Sequence, residues 1–235
     1  MLKLISLDEE PLLCRNQSLG IMISSYATIQ KCNEAYCRIY RQNESAFLVP
    51  CGKSAVLCAD ENADFAEIKQ FVDFLGCDTI LCEQSNLEDD KTVRKNSGLI
   101  LCGEFAENDD EIASPQTTAE YRSVFSLLET DGIVFEDWFT DITLRIRRGT
   151  AKLAAIFENG EAVATASILH RTQNRCILGA VATKESNRNR GLATELIRRL
   201  SEQHTTVLCL PELEAFYEKL GFRACGAWYE YKREL

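Results

Sequence analysis

The sequence predicts an α+β protein, a mixed α/β sheet in the C-terminal half preceded by an additional N-terminal α/β domain. Three observations carry this. Two apolar runs, Lys152–Glu158 and Glu161–His170, flank Asn159-Gly160, a strong hairpin signal because both residues accept the positive φ of a tight turn. Val181–Leu196 reads VATKESNRNRGLATEL: an apolar strand end, a polar turn, then a helix opening at Gly191. Between Glu104 and Gln116 the chain turns acidic and loses apolar content, the pattern of a linker, dividing it into 1–103 and 117–235.

The totals narrow the function classes. With 235 residues and a net charge of −10, the chain is sized for one large or two small domains, and it is poorly suited to gripping nucleic acid or an anionic membrane. No apolar stretch reaches the length of a membrane span, and Met1–Pro11, carrying Asp8, Glu9 and Glu10, does not read as a signal peptide, so a cytoplasmic location is expected. The 11 cysteines include no Cys-x-x-Cys, and the only histidines are His170 and His204. That spacing suits neither a zinc site nor a disulfide scaffold; reduced, mostly buried thiols are expected, and no metal.

In the first half, Leu19–Tyr26 is read as a helix and Tyr36–Tyr40 as a strand. Ala46–Pro50 and Ser54–Cys58 form a hairpin around Cys51-Gly52-Lys53. Phe65, Ile68, Val72 and Leu75 recur at helical spacing, with Gly76 at the C-terminus. Thr79–Cys82 and Leu99–Cys102 are short buried strands.

In the second half, Thr117-x-x-Glu120 is a capping box for a helix with Tyr121, Val124, Phe125 and Leu128 on one face. After a turn at Asp131-Gly132, Phe135, Trp138, Phe139, Ile142 and Ile146 make a second apolar stripe that stops at Gly149. The hairpin comes next, then strand Arg175–Thr183, helix Gly191–Gln203, strand Thr205–Leu210, helix Glu212–Leu220 and strand Arg223–Lys232.

The loop before the helix has the chemistry of an anion site. A helix start leaves backbone N–H groups unpartnered and carries partial positive charge. Gly191 removes a side chain there, Ala193 keeps the first turn small, and Arg188 and Arg190 bring cations. The spacing Arg188-x-x-Gly191-x-Ala193 resembles the acyl-CoA-binding motif of the GNAT superfamily, the Gcn5-related N-acetyltransferases. Ala215-Phe216-Tyr217-Glu218-Lys219-Leu220-Gly221-Phe222 resembles that superfamily's late helix. The resemblance covers roughly residues 117–235. Its first strand is not evident: Leu99–Cys102 supplies it or it is absent. The order hairpin, helix, strand in residues 1–103 echoes the second half, so a degenerate GNAT-like repeat is one reading of that domain. No glycine phosphate motif is found in it, and a non-catalytic packing or substrate-shaping role is the other reading.

The resemblance implies acetyl-CoA as cosubstrate and an amine as acceptor. The pantetheine arm would pair with the backbone of Ala180, Val181, Ala182 and Thr183. The main chain of Arg188, Asn189, Arg190, Gly191, Leu192 and Ala193 would bind the pyrophosphate. The Val181 N–H would stabilise the oxyanion, and Tyr217 would protonate the leaving thiolate. Many relatives carry a glutamate base on the central strand, but Arg175–Thr183 contains no acid. The base is therefore unassigned. Glu158 at the hairpin tip is a poor candidate, and His170 and Glu230 qualify only if the fold turns them inward. Glu136, Asp137 and Trp138 lie where relatives shape the acceptor site, although a solvated helix start is the simpler reading. The expected function is amine N-acetylation. The alternatives are a non-catalytic acyl-CoA sensor and, if CoA is not bound, a structural partner protein. The acceptor, acyl length and oligomeric state stay open.

Overall fold

A computed structural model describes residues 1–31, 37–106, 113–128 and 132–233. These fall into two compact units. The first comprises Met1–Leu101, Leu208–Ala215 and Arg223–Leu235; the second comprises Cys102–Val207 and Phe216–Phe222. The division differs from the expected one at the C-terminus, where two pieces of the 117–235 stretch lie with the first unit. Glu107, Asp109, Asp110 and Glu111 of the expected linker are outside the described residues, as are Tyr36 and Asp131. Among the described residues no helix is long and apolar enough to cross a membrane.

The first unit contains β1 (Lys3–Ile5), α1 (Leu12–Asn16), α2 (Gly20–Gln30), β2 (Ile39–Gln42), β3 (Ala46–Cys51), β4 (Ser54–Ala59), α3 (Phe65–Phe74) and β5 (Thr79–Cys82). It also holds most of β6 (Thr92–Glu104), which contains the expected strand Leu99–Cys102. Its strand order is β1-β2-β3-β4-β5, then the C-terminal strand Arg223–Arg233 and then β6. β2, β3 and β4 form an antiparallel meander, and β5 returns parallel to β4 through the α3 crossover. Successive side chains of β3 and β4 point to opposite faces. Leu48, Leu57 and Ala59 meet Ile68 and Val72 of α3, while Phe47, Val49 and Cys58 meet Leu19, Ile23 and Ala27 from α2 and its entry. Both faces being covered, these strands read as nearly continuous apolar runs.

The second unit contains α4 (Thr118–Phe125), α5 (Phe135–Arg147), β7 (Lys152–Glu158), β8 (Glu161–Arg171), β9 (Arg175–Thr183), α6 (Leu192–Leu200) and most of β10 (His204–Cys209). The short helix α7 (Glu214–Glu218) is next in the chain, and β11 (Arg223–Arg233) is the C-terminal strand already placed in the first unit. The order in the second unit is β10-β9-β8-β7, with β7, β8 and β9 antiparallel and β10 parallel to β9. The capping box at α4 forms as expected: Thr117 Oγ1 accepts from the Glu120 N–H and Glu120 accepts from the Thr117 N–H, at 3.3 and 2.9 Å. Asn159 and Gly160 both have positive φ, 52° and 81°. Val124, Ile142, Leu153 and Ala155 bury the α4–α5 pair against β7, and Leu196, Ile197 and Leu200 are the buried stripe of α6, which packs on β8 and β9.

Among the described residues eight cysteines are free thiols, seven of them buried. Burial holds Cys176 above the usual thiol value and pushes Cys82 up to about 12, so these groups are inert.

Candidate active site

The site is built on β9 and on the loop and helix that come after it. On the β8 side the ladder runs the length of β9, with two irregularities, one between Ile168 and His170 and one nearer the loop. Thr165 faces Ala182 and Ser167 faces Gly179, so Ala166 alone opposes Ala180 and Val181. The extra residue is a β-bulge, and Ala180 adopts φ 49° to make it. A non-glycine residue in the left-handed region costs energy and needs its surroundings to hold it. On the other side, β10 pairs only with Arg175–Leu178. From Gly179 to Thr183 no β10 partner continues that ladder, and burial changes at the same point. Cys176–Leu178 are buried, whereas Gly179–Thr183 are half-exposed. A stretch of strand edge with available N–H and C=O groups results. Ala180, Val181, Ala182 and Thr183 all lie on it.

The loop beyond this edge turns through a short 3-10 segment, Glu185–Asn187, into α6. Asn189 and Gly191 both have positive φ, 63° and 79°, on either side of Arg190. Gly191 is the N-cap and offers no side chain to cap α6. The first intrahelical bond is Glu195 N–H to the Gly191 carbonyl, so the amides of Leu192, Ala193 and Thr194 precede it. A Cβ on Gly191 would meet nothing within 4 Å. Within the protein, glycine is needed here for its backbone angle rather than for space.

The two arginines differ. Arg188 is exposed, and its side chain makes no hydrogen bond or ion pair among the described residues. Arg190 is committed: its guanidinium donates to both oxygens of Glu158, at 2.6 and 3.2 Å. Asn187, buried at 8% exposure, donates to the same carboxylate at 3.1 Å. Lys184 pairs with Glu161 across the same hairpin turn at 2.8 Å. Arg190 holds the Glu158 carboxyl below its usual range, and Lys184 does the same to Glu161. Glu158 is thus part of the loop's support, a role the sequence did not signal because the partners are far apart in the chain.

Tyr217 is buried at 5% exposure. Its ring packs edge-on against Phe222 and Phe216, with centroids 5.7 and 5.1 Å away. α7 is only Glu214–Glu218, shorter than expected, and Gly221 at φ 98° closes the turn after it. The two base candidates that depended on the fold are both engaged elsewhere. His170 is buried, and its Nδ1 lies 2.9 Å from Arg145 Nη2. Arg145 Nη2 also donates to the Leu169 carbonyl, and Nη1 pairs with Asp141 at 3.4 Å. Burial and the adjacent guanidinium push the imidazole well below its usual value. It is neutral, with the proton assigned to Nε2 so that Nδ1 can accept. Glu230 belongs to the first unit and is held by Asn96 at 2.6 Å and Lys95 at 3.6 Å. Glu136 pairs with Arg122, at 3.3 Å, on an exposed surface, as the simpler reading of that region expected.

The first unit repeats the strand–loop–helix–parallel strand arrangement with opposite chemistry. β5 pairs with Ser54–Val56 of β4 and leaves Leu57–Ala59 unpaired on that side. Here the side-chain amides of Gln17 and Gln84 both donate to the Ala59 carbonyl, each at 2.6 Å. The next loop, Asp60-Glu61-Asn62-Ala63-Asp64, carries three carboxylates. Asp64 caps α3 itself, accepting from the Glu67 N–H at 3.0 Å. A helix start already capped and ringed by carboxylates repels an anion.

Residues 150–224 match the family model described as acetyltransferase (GNAT) domain. The structure is similar to a GCN5-related N-acetyltransferase from Kribbella flavida (TM-score 0.63, 10% identity, covering 96% of both chains). It is similar to an acetyltransferase of the GNAT family from Novosphingobium aromaticivorans (TM-score 0.58, 16% identity, covering 83% of this chain and 91% of that one). It is also similar to a tandem GNAT protein from the clavulanic acid biosynthesis pathway (TM-score 0.56, 13% identity, covering 100% of this chain and 98% of that one). No curated protein sequence matches the chain. The match to a GNAT domain thus covers residues 150–224, and the fold is similar to that of GNAT acetyltransferases, a tandem GNAT protein among them.

Proposed function

We propose that this protein is an acetyl-CoA-dependent N-acetyltransferase with a single CoA site, in the second unit, and an amine as acceptor. The observation that carries this reading is the β9 edge beyond Leu178. A bulged strand with available backbone groups leads directly into an uncapped helix start. That pair of features suits the two ends of CoA, an amide-bearing arm and a pyrophosphate. Ala180–Thr183 would pair with the arm. The main chain of Arg188–Ala193 would bind the pyrophosphate, with the Arg188 side chain adding charge.

The acceptor nitrogen attacks the thioester carbonyl carbon, and the developing oxyanion takes a hydrogen bond from the Val181 N–H. The C–S bond then breaks, and Tyr217 gives its proton to the departing thiolate. The amine's own proton leaves to solvent, because neither His170 nor Glu230 is available as a base. An acceptor that is neutral at working pH suits such a site.

The test is thiol release from acetyl-CoA across a panel of amines, with the wild type and Tyr217→Phe. Tyr217→Phe keeps the packed ring and removes one oxygen. Turnover is expected to fall by roughly ten- to ten-thousand-fold, with the acetyl-CoA Michaelis constant nearly unchanged. Unchanged turnover would make Tyr217 a packing residue only. Binding of acetyl-CoA without turnover on any amine would favour the sensor alternative.

A further inference from the structure

We infer that Glu158 is a positioning residue for the phosphate loop, raising CoA affinity although its charge opposes the ligand's. This rests on the CoA-site reading above. Glu158 is the last residue of β7, one position before the Asn159-Gly160 turn. Its carboxylate receives three hydrogen bonds from the loop: two from Arg190 and one from Asn187. A two-pronged arginine–carboxylate pair fixes direction as well as distance. Asn187 is itself buried and anchored to Ser186 at 2.8 Å, so the third bond ties the carboxylate to the folded body of the loop. On the far side of the turn, Glu161 holds Lys184, whose N–H also donates to the Val163 carbonyl at 2.9 Å. The hairpin tip therefore grips the loop at its entry, Lys184, and at its exit, Arg190.

The left-handed residues Asn189 and Gly191 lie immediately before and after the Arg190 anchor. A segment in that conformation is free to relax unless neighbouring bonds hold it. The grip on Arg190, flanked by both, supplies the hold. It also means that Arg190 acts through its place in the backbone, with its side-chain charge already neutralised, while Arg188 carries the free charge.

Electrostatics and positioning predict opposite signs. A carboxylate close to a pyrophosphate site repels the ligand, so its removal should tighten binding, most of all at low salt. If the carboxylate positions the loop, its removal should weaken binding at every ionic strength. The experiment is calorimetric CoA binding to the full chain, at low and high salt, for wild type, Glu158→Ala, Glu158→Gln, Arg190→Ala and the Glu158→Ala/Arg190→Ala double variant. Glu158→Ala is expected to weaken CoA by about tenfold at both salt levels, within the range of coupled contacts. Arg190→Ala should match it, and the double variant should be no worse than either single. Glu158→Gln keeps the shape and part of the bonding, guards against a distortion of the hairpin by the alanine, and should lose a few-fold. Equal or tighter CoA binding by the Glu158 variants, or additive losses in the double variant, would overturn the positioning role while leaving the CoA site standing. A wild type that binds no CoA would overturn both.

Discussion

Among the individual residues, His170, buried beside Arg145, ties the stability of the fold to pH. In the sequence His170 is one of two histidines and a conditional base. In the fold it is a neutral imidazole accepting from a guanidinium on α5, and that arginine also pairs with Asp141. Its pKa lies below that of an unfolded histidine, so between the two values only the unfolded chain takes a proton. The stability this contributes is complete above about pH 6.5 and is lost as pH falls below it. The depressed carboxyls Glu158 and Glu161 act in a lower window, giving way only as pH falls through the acidic range below their ordinary value of 4.5. Thermal midpoints measured from about pH 7 to about pH 5 should therefore decline, and His170→Gln should flatten that decline. A wild-type midpoint that rises over the same interval would mean that His170 is charged in the native state.

Among the elements, the sequence conveyed the local signals well. Asn159-Gly160, the Thr117–Glu120 box and the Gly191 helix start all rest on bonds within a few residues, which is why they could be read directly. The bulge at Ala180 and the end of the β10 ladder at Leu178 could not be, because they depend on two other strands. The same holds for Glu158, whose partners lie about thirty residues on in sequence, at 29 and 32 positions. β11 is the most consequential element that sequence order misplaced. It comes after the GNAT signatures, yet it pairs antiparallel with β5, Tyr229 facing Cys82 and Tyr231 facing Ile80. Its buried Arg233 makes two bonds to Asp73, at 2.9 and 2.6 Å, and another to Thr92. A fragment beginning near Gln116 keeps β11 and deletes every one of these partners. It should be aggregated or strongly destabilised against the full chain in thermal scans, since an unpartnered apolar strand edge recruits other chains. A soluble fragment melting at the full-length temperature would show that β11 contributes nothing through β5.

For the whole molecule, two units share one strand–loop–helix plan, and one of them presents a helix start with no side-chain cap. In the first unit, glutamine amides occupy the Ala59 carbonyl, Asp64 caps the helix and the loop is acidic. In the second, the strand edge is available, the helix is uncapped and Arg188 is free to meet a phosphate. This contrast supports the proposal of one CoA site per chain, at β9 and α6. The most direct test is calorimetric titration of the full chain with CoA, alongside Gly191→Asp, which places a carboxylate at the uncapped helix start and an L residue at φ 79°. The predicted result is one CoA bound per wild-type chain and almost none by Gly191→Asp at matched folded fraction. Two CoA molecules per chain, or affinity within a few-fold of wild type in Gly191→Asp, would contradict it.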